Sequence, residues 1–194
     1  MSNNQTVSIM IAGVGGQGTL LASRVLGNAA MKKDFDVKMS EVHGMAQRGG
    51  SVVTYVRFGK EVASPVIDRG QADVLLSFEQ LEAARYLPFV RHGGLLITNT
   101  QKINPMTVVS GAVKYPADIL DKLAQVPVRL ETLDALSLAR EAGNEKAVNI
   151  VLIGRFAKCC DLFTPEELLE SVKVTVPAKL LDINLKAFEY GYRA

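Results

Sequence analysis

Residues 7–18 read VSIMIAGVGGQG, an apolar run that leads directly into a cluster of glycines. Residues 7–12 are mostly β-branched or otherwise apolar, which is typical of a buried strand. Gly13, Gly15 and Gly18 then form a G-x-G-x-x-G pattern, and apolar residues recur at helical spacing beyond it. A strand, a glycine turn and a helix in this order indicate an α/β fold.

The glycine turn is also a candidate phosphate-binding site. Small residues at such a turn let a pyrophosphate reach backbone N–H groups at the positive end of a helix. The predicted cofactor-binding residues are Gly13, Gly15, Gly16, Gln17 and Gly18. The alternative is that these glycines only allow the helix and the strand to pack closely.

The remaining segments continue the alternation of strands and helices. Strands are expected at residues 7–12, 35–42, 51–58, 72–78, 95–98 and 128–130, and helices from 19, at 79–89, at 132–142, from 165 and at 178–190. Gly59 and Lys60 would permit a tight turn into residues 61–63, which predicts an antiparallel hairpin. We therefore predict a Rossmann-like, mainly parallel sheet flanked by helices, with a β-hairpin insertion, in a single domain over residues 1–194.

Composition excludes several classes of protein. The chain has 22 Lys and Arg against 20 Asp and Glu, a net charge of +2, which is far from the basic stripe of a nucleic-acid-binding protein. The N-terminus lacks the basic and apolar regions of an export signal, and no apolar run approaches the roughly 18 residues of a membrane span. We expect a cytoplasmic protein with neither a nucleic-acid nor a membrane partner.

The cysteines limit the cofactors that this chain can hold alone. Cys159 and Cys160 are the only two, and they are adjacent in sequence. An iron–sulfur cluster usually takes four thiolates, and His43 and His92 are too far apart in sequence to suggest a zinc site. We predict no metal site and interpret both thiols as buried structural groups.

A second glycine-bearing segment, residues 41–50, reads EVHGMAQRGG. The predicted interface or active-region residues in it are Glu41, His43, Gln47 and Arg48. The pKa of a histidine lies near neutrality, so His43 suits either a proton shuttle or a positioning role. Gln47 and Arg48 carry donors for a carboxylate, a phosphate or a partner's backbone, although Arg48 also fits a plain surface charge. No nucleophile–base set accompanies them, so we predict no catalytic residue.

Glu41 leaves a second function open. An acidic residue about 20 positions beyond a glycine turn receives the ribose hydroxyl in NAD-binding folds, and Glu41 stands at the end of the second expected strand. A stand-alone NAD(P)-binding oxidoreductase is therefore an alternative. The polar, glycine-rich loop after Glu41 and the lack of a separate substrate domain make it the weaker one.

Five polar residues elsewhere have simpler interpretations. Glu79, Glu82, Arg85 and Arg91 are expected on a solvated helix face and its margin. Asn149 lies within an apolar helical stretch, residues 147–156, and is expected to bond to backbone or across a subunit boundary, because an unpaired buried amide is costly.

Four segments in this order resemble a known family, the gamma-type domain of the 2-oxoacid:ferredoxin oxidoreductases, and within it the indolepyruvate branch. They are residues 13–18, 41–50, 72–79 and 97–100. The resemblance implies an accessory subunit of an enzyme that converts an arylpyruvate and CoA into an acyl-CoA, CO2 and reduced ferredoxin. It also implies that thiamine diphosphate, Mg and iron–sulfur clusters belong to a large thiamine-binding alpha subunit.

The same resemblance implies a role in handling CoA, whose pyrophosphate would meet the turn at residues 13–18. A non-catalytic scaffold subunit is the third alternative. The sequence leaves open which 2-oxo acid is used and whether the isolated chain pairs with itself.

Overall fold

A single mixed sheet organises the chain, for which the computed structural model describes residues 6–44 and 49–194. Within these ranges the sheet has six strands, β1 Val7–Val14, β2 Asp36–His43, β3 Ser51–Gly59, β4 Ala72–Ser77, β5 Val90–Asn99 and β6 Arg129–Leu133. Their order in the sheet is β2-β3-β1-β4-β5-β6. The predicted α/β class is confirmed.

Helices cover both faces of this sheet. The described residues form α1 Thr19–Met31, α2 Gln80–Tyr86, α3 Met106–Val109, α4 Ile119–Leu123, α5 Ala135–Ala142, α6 Val148–Cys159, α7 Pro165–Thr175 and α8 Leu181–Arg193. The short helices α3 and α4 are not predicted by the sequence. The helix expected from Thr132 starts at Ala135 instead, because the Asp134 carboxylate caps it by accepting the Ser137 N–H. None of the helices in the described residues is long and apolar enough to cross a membrane.

The antiparallel insertion differs from the hairpin that the sequence predicts. Strands β1, β4, β5 and β6 are parallel, whereas β3 runs antiparallel to both β1 and β2. The hairpin therefore joins β2 to β3, and the expectation that residues 61–63 form its second strand is wrong. Both edges of β3 are already paired, so no edge is left for that segment. Val62 instead donates its N–H to Asp36 Oδ2 at 2.9 Å.

Two apolar layers sandwich the sheet. Ile9 and Ile11 face α1 and α5–α8, and Met10 and Ala12 face α2 and α4, as the alternation of side chains in a strand requires. The apolar stretch 147–156 is buried by this chain's own sheet and helices. At its crossing with α8, a Cβ on Gly154 would lie 2.1 Å from the Phe188 carbonyl oxygen, so only glycine fits there.

Candidate functional site

The glycine turn connects β1 to the start of α1 at the edge where the parallel strands end. Gly16 and Gly18 have φ values of 100° and 83°, which favour glycine. The Gly15 N–H donates to the Gly50 carbonyl at 2.9 Å, which ties the turn to the entry of β3. Within the described residues, the N–H groups of Gly16, Gly18 and Leu20 meet no acceptor. They are available to an anion at the positive end of α1.

Asn149 fixes the turn from the side of α6. Its amide is 3% exposed and donates from Nδ2 to the Gly18 carbonyl at 3.3 Å. A Cβ on Gly18 would lie only 2.5 Å from that nitrogen. The prediction that Asn149 bonds to backbone is confirmed, and its partner is the turn itself.

Gln17 and Gly13 lie beneath the turn rather than on it. The Gln17 Oε1 accepts the Val14 N–H at 2.8 Å, and its Nε2 donates to the Phe78 carbonyl at 3.1 Å. Gly13 is buried at the end of β1, where an added Cβ would lie 3.1 Å from that of Phe78. Both residues support the turn, and Gln17 also lines one cleft beside it together with Gly16, whereas Gly15, Gly16 and Gly18 line the other.

Two clefts flank Gly16. The β2-side cleft, of about 320 Å³, lies between the turn and β2 and is lined by Glu41 and His43. The α6-side cleft, of about 300 Å³, is lined by Gln101 and by residues around the start of α6, including Arg140 and Lys146. Ligands of open α/β sheets bind at such a carboxyl edge of the strands.

Glu41 and His43 project from the same face of β2 into the first cleft, as residues two apart on a strand must. The Glu41 carboxylate accepts the Thr54 hydroxyl at 3.2 Å and lies 3.5 Å from that of Thr19 at the start of α1. His43 is exposed, with Nδ1 3.0 Å from the Gly44 carbonyl. The structure thus brings both predicted residues beside the glycine turn. Gln47 and Arg48 lie outside the described residues.

The α6-side cleft has a net positive lining, since Arg140 and Lys146 face a single carboxylate, Glu145. Arg140 and Lys146 are both exposed, and Arg140 lies 3.5 Å from the equally exposed Glu145. The Ser137 hydroxyl and N–H donate to the Asp134 carboxylate, and these two bonds fix the start of α5, the helix that carries Arg140. The same bonds hold the pKa of Asp134 below its ordinary value. Sequence reasoning missed this cleft, because its residues are separated along the chain and no local pattern marks them.

The comparisons with known proteins identify the family. The model for pyruvate ferredoxin/flavodoxin oxidoreductases matches residues 8–194. This chain belongs to that family. Indolepyruvate oxidoreductase subunit IorB from Thermococcus kodakarensis is 42% identical over 191 residues, which cover 96% of this chain and 95% of the relative. The resemblance found in the sequence is confirmed.

Solved structures show the same fold in the family. The pyruvate oxidoreductase subunit PORC from Thermotoga maritima matches with a TM-score of 0.75 at 19% identity, covering 98% of this chain and 97% of that one. A 2-oxoglutarate:ferredoxin oxidoreductase from Magnetococcus marinus matches with a TM-score of 0.68 at 16% identity. The match includes 98% of this chain but only 31% of that longer polypeptide. The fold therefore occurs both as a separate chain and as part of a larger one.

Glu79 and Glu82 are buried, so the expectation that they lie on a solvated helix face is wrong. Glu79 is 1% exposed and Glu82 is 4% exposed. Glu79 caps α2 by accepting the Glu82 N–H at 3.0 Å, and it also accepts the Ile103 N–H at 3.1 Å and the Tyr115 hydroxyl. These donors compensate for the loss of water around the carboxylate. A glutamate directly after a buried strand is the signal that could have indicated a cap.

Glu82 links α2 to the strand that follows residues 41–50. Its carboxylate accepts the Ser51 hydroxyl and, at 3.1 Å, the Arg85 Nε–H. Arg85 and Arg91 are about half exposed, at 50% and 51% of their side chains. The expectation of a solvated helix face is correct for Arg85 on α2, whereas Arg91 lies at the start of β5. The buried carboxylates thus support the rim of the site from below.

The cysteines lie at the opposite edge of the sheet, beside a cavity of about 240 Å³. Both are half-buried rather than fully buried. Burial raises the pKa of the Cys159 thiol, and raises the pKa of Cys160 to about 11, so both stay protonated at neutral pH. Among the described residues, no group of three or more His, Cys, Asp or Glu could hold a metal ion. Two adjacent thiols do not fit an iron–sulfur cluster.

Proposed function

We propose that this chain is the gamma-type accessory subunit of an indolepyruvate:ferredoxin oxidoreductase. The observation that carries the proposal is the 42% identity to an indolepyruvate oxidoreductase subunit over 96% of the chain. Thiamine diphosphate and iron–sulfur clusters, held by a large partner subunit, supply the decarboxylation and the electron transfer to ferredoxin. This chain contributes an interface and a binding surface for CoA, and it acts with its partner in the cytoplasm.

The α6-side cleft suits the pyrophosphate of CoA better than the β2-side cleft does. Arg140 and Lys146 line it against a single carboxylate, Glu145, and the Gly16 N–H, which meets no acceptor in the described residues, lies between the two clefts. Lysine and arginine stabilise phosphate through charge-assisted hydrogen bonds. In the β2-side cleft the Glu41 carboxylate lies beside the same helix end and would repel an anion.

The end of β2 suits the contact with the large subunit. Glu41, Val42 and His43 are all exposed, and β2 is an edge strand whose outer side has no partner in the described residues. An edge strand presents unpaired N–H and C=O groups, which another chain can cover. We assign Glu41, His43, Gln47 and Arg48 to the surface that faces the large subunit's active region, so their loss should affect turnover more than assembly.

Reconstitution tests the subunit proposal. The purified chain should oxidise no indolepyruvate, and activity should appear only when the large subunit is added. Strong activity of the chain alone would refute the proposal. Size-exclusion chromatography of the same sample shows whether the isolated chain forms a homodimer.

Two further measurements separate the alternatives. Calorimetric titration should show binding of CoA rather than NADH, whereas tight NADH binding that Glu41→Lys abolishes would support a stand-alone dehydrogenase. Arg48→Ala should lower turnover of the complex while assembly stays normal. Weaker assembly with normal turnover per complex would instead indicate a scaffold subunit.

A further inference from the structure

Three side-chain amides meet beneath the glycine turn, where the parallel strands end. Gln17 Nε2 and Asn99 Nδ2 both donate to Gln101 Oε1, each at 3.3 Å. The same two nitrogens also donate to the Phe78 carbonyl, at 3.1 Å and 3.2 Å. Two acceptors and two donor groups thus form a closed ring of four hydrogen bonds.

The oxygens of two of these amides extend the ring to neighbouring elements. Gln17 Oε1 accepts the Val14 N–H, and Asn99 Oδ1 accepts the Ala135 N–H at 3.1 Å. The network therefore connects the ends of β1, β4 and β5 with the start of α5. Asn99 is fully buried and Gln17 is half-buried, so these bonds lie in a low dielectric and are stronger than bonds in water.

The ring leaves Gln17 and Asn99 with no donor for a ligand. A side-chain amide has two N–H donors, and both are used in each residue. Gln17 and Gln101 both line the α6-side cleft, but Gln101 differs because only its oxygen takes part in the ring, so its amide nitrogen has no acceptor in the described residues. We propose that Gln17 and Asn99 are positioning residues, which act on a ligand only by fixing the glycine turn, and that Gln101 holds both of them by supplying their shared acceptor.

Amide hydrogen exchange of the full chain tests this role without any ligand. Gln17→Glu keeps the oxygen that accepts the Val14 N–H but removes both donations. Gln101→Leu removes the shared acceptor, and Gln101→Glu restores it. Gln125→Leu, at an exposed glutamine, is the control.

We expect Gln17→Glu and Gln101→Leu to accelerate exchange of the hydrogen-bonded amides of the turn, those of Val14, Gly15 and Gln17, by about tenfold, the effect of one or two lost hydrogen bonds. Amides of α8 that exchange by local fraying should change less than about twofold, since α8 makes no bond to the ring. Gln101→Glu and the control should both exchange like the unmodified chain. The proposal is overturned by normal exchange at the turn in the two disruptive variants, by equal acceleration everywhere, or by failure of Gln101→Glu to restore protection.

A kinetic measurement connects the network to the proposed function, on which its role toward CoA rests. In the complex with the large subunit, Gln17→Glu and Gln101→Leu should raise the KM for CoA about fivefold, with kcat within about twofold. An unchanged KM together with faster exchange of the turn amides would refute the CoA site at this turn and would still support the network. The two failures are therefore distinguishable.

Discussion

The two clefts beside Gly16 share that glycine but differ in charge. The β2-side cleft presents the Glu41 carboxylate to the start of α1, whereas the α6-side cleft presents Arg140 and Lys146. The start of α1 thus has a carboxylate beside it in the β2-side cleft, whereas the α6-side cleft carries two cations against one carboxylate, Glu145. A glycine turn alone therefore does not determine where an anion binds, because the charges on the flanking elements make one cleft more favourable than the other.

The two clefts also differ in how rigidly they are built. On the β2 side, Glu41 is held by the hydroxyls of Thr19 and Thr54, and residues 45–48 lie outside the described part of the chain. On the α6 side, Asn149 and the amide ring bond directly to the turn or to the strand ends beneath it. We expect substitutions that break the bonds of Asn149 or of the amide ring to lower the free energy of unfolding more than substitutions in the β2-side cleft.

The largest effect is expected from Gly18→Ala. Its positive φ is unfavourable for alanine by about 1–2 kcal/mol, and the new Cβ displaces the Asn149 amide, whose hydrogen bond adds about 1 kcal/mol. We predict a loss of about 2–3 kcal/mol in the free energy of unfolding, measured with urea.

Gly16→Ala is the matched control, because Gly16 has a similar φ but no atom within 4 Å of an added Cβ. It should lose only the backbone contribution, about 1–2 kcal/mol. Equal losses in the two variants would show that Asn149 does not constrain the turn.

Sequence reasoning succeeded where the signal is local. The strand, the glycine turn and the residues Glu41 and His43 follow one another in short segments, and their prediction needed only alternation and glycine chemistry. The pairing partner of β3 could not be predicted in this way, because a strand of residues 51–58 is equally compatible with a hairpin on either side. The prediction that residues 61–63 pair with β3 is therefore wrong, since β2 is its partner.

The α6-side cleft could not be predicted because tertiary packing creates it. Gln101 follows β5, Arg140 lies on α5 and Lys146 lies between α5 and α6, and each looks like an ordinary surface residue in its own segment. The burial of Glu79 has the same origin, since its donors Ile103 and Tyr115 lie more than 20 residues away along the chain. Local sequence context cannot distinguish such a carboxylate from a solvated one.

Tyr115→Phe tests the support of the α6-side rim. Its hydroxyl donates to the buried Glu79 carboxylate, which also holds the N–H of Ile103 at the edge of the cleft. A hydrogen bond to a charged group contributes about 1.5–3 kcal/mol, so we expect a loss of about 2 kcal/mol in urea. Tyr190→Phe on α8 is the control and should cost less than about 0.5 kcal/mol. An equally small loss for Tyr115→Phe would contradict the role of Glu79 as the anchor of that rim.

Asp134→Ala tests the helix that carries Arg140. Loss of the cap should cost about 1 kcal/mol at neutral pH. The pKa of Asp134 is lowered by the Ser137 hydroxyl and N–H, so folding favours the charged form. Its contribution is therefore complete above the ordinary value of 3.8 and is lost as the pH falls through the lowered pKa.

Urea titrations at several pH values check this dependence. The difference between Asp134→Ala and the unmodified chain should stay constant above about pH 5 and should shrink in more acidic solution. A difference that grows on acidification has the wrong sign for a carboxylate with a lowered pKa. Exposed Asp121, substituted in the same way, is the control for a general change in charge.

The smallest effect is expected from the charges that distinguish the two clefts. Lys146→Gln should raise the KM for CoA of the assembled enzyme about twofold to threefold, because an exposed charge near a helix end contributes about 0.3–1 kcal/mol. Glu41→Gln, the matched change in the other cleft, should leave the KM unchanged or lower it slightly, since it removes a repulsion. Both shifts should diminish as salt is raised, because the Debye length falls from about 10 Å at 0.1 M to about 3 Å at 1 M. If Glu41→Gln raised the KM and Lys146→Gln did not, the anion would belong in the β2-side cleft, and the selection of the α6 side by charge would be wrong.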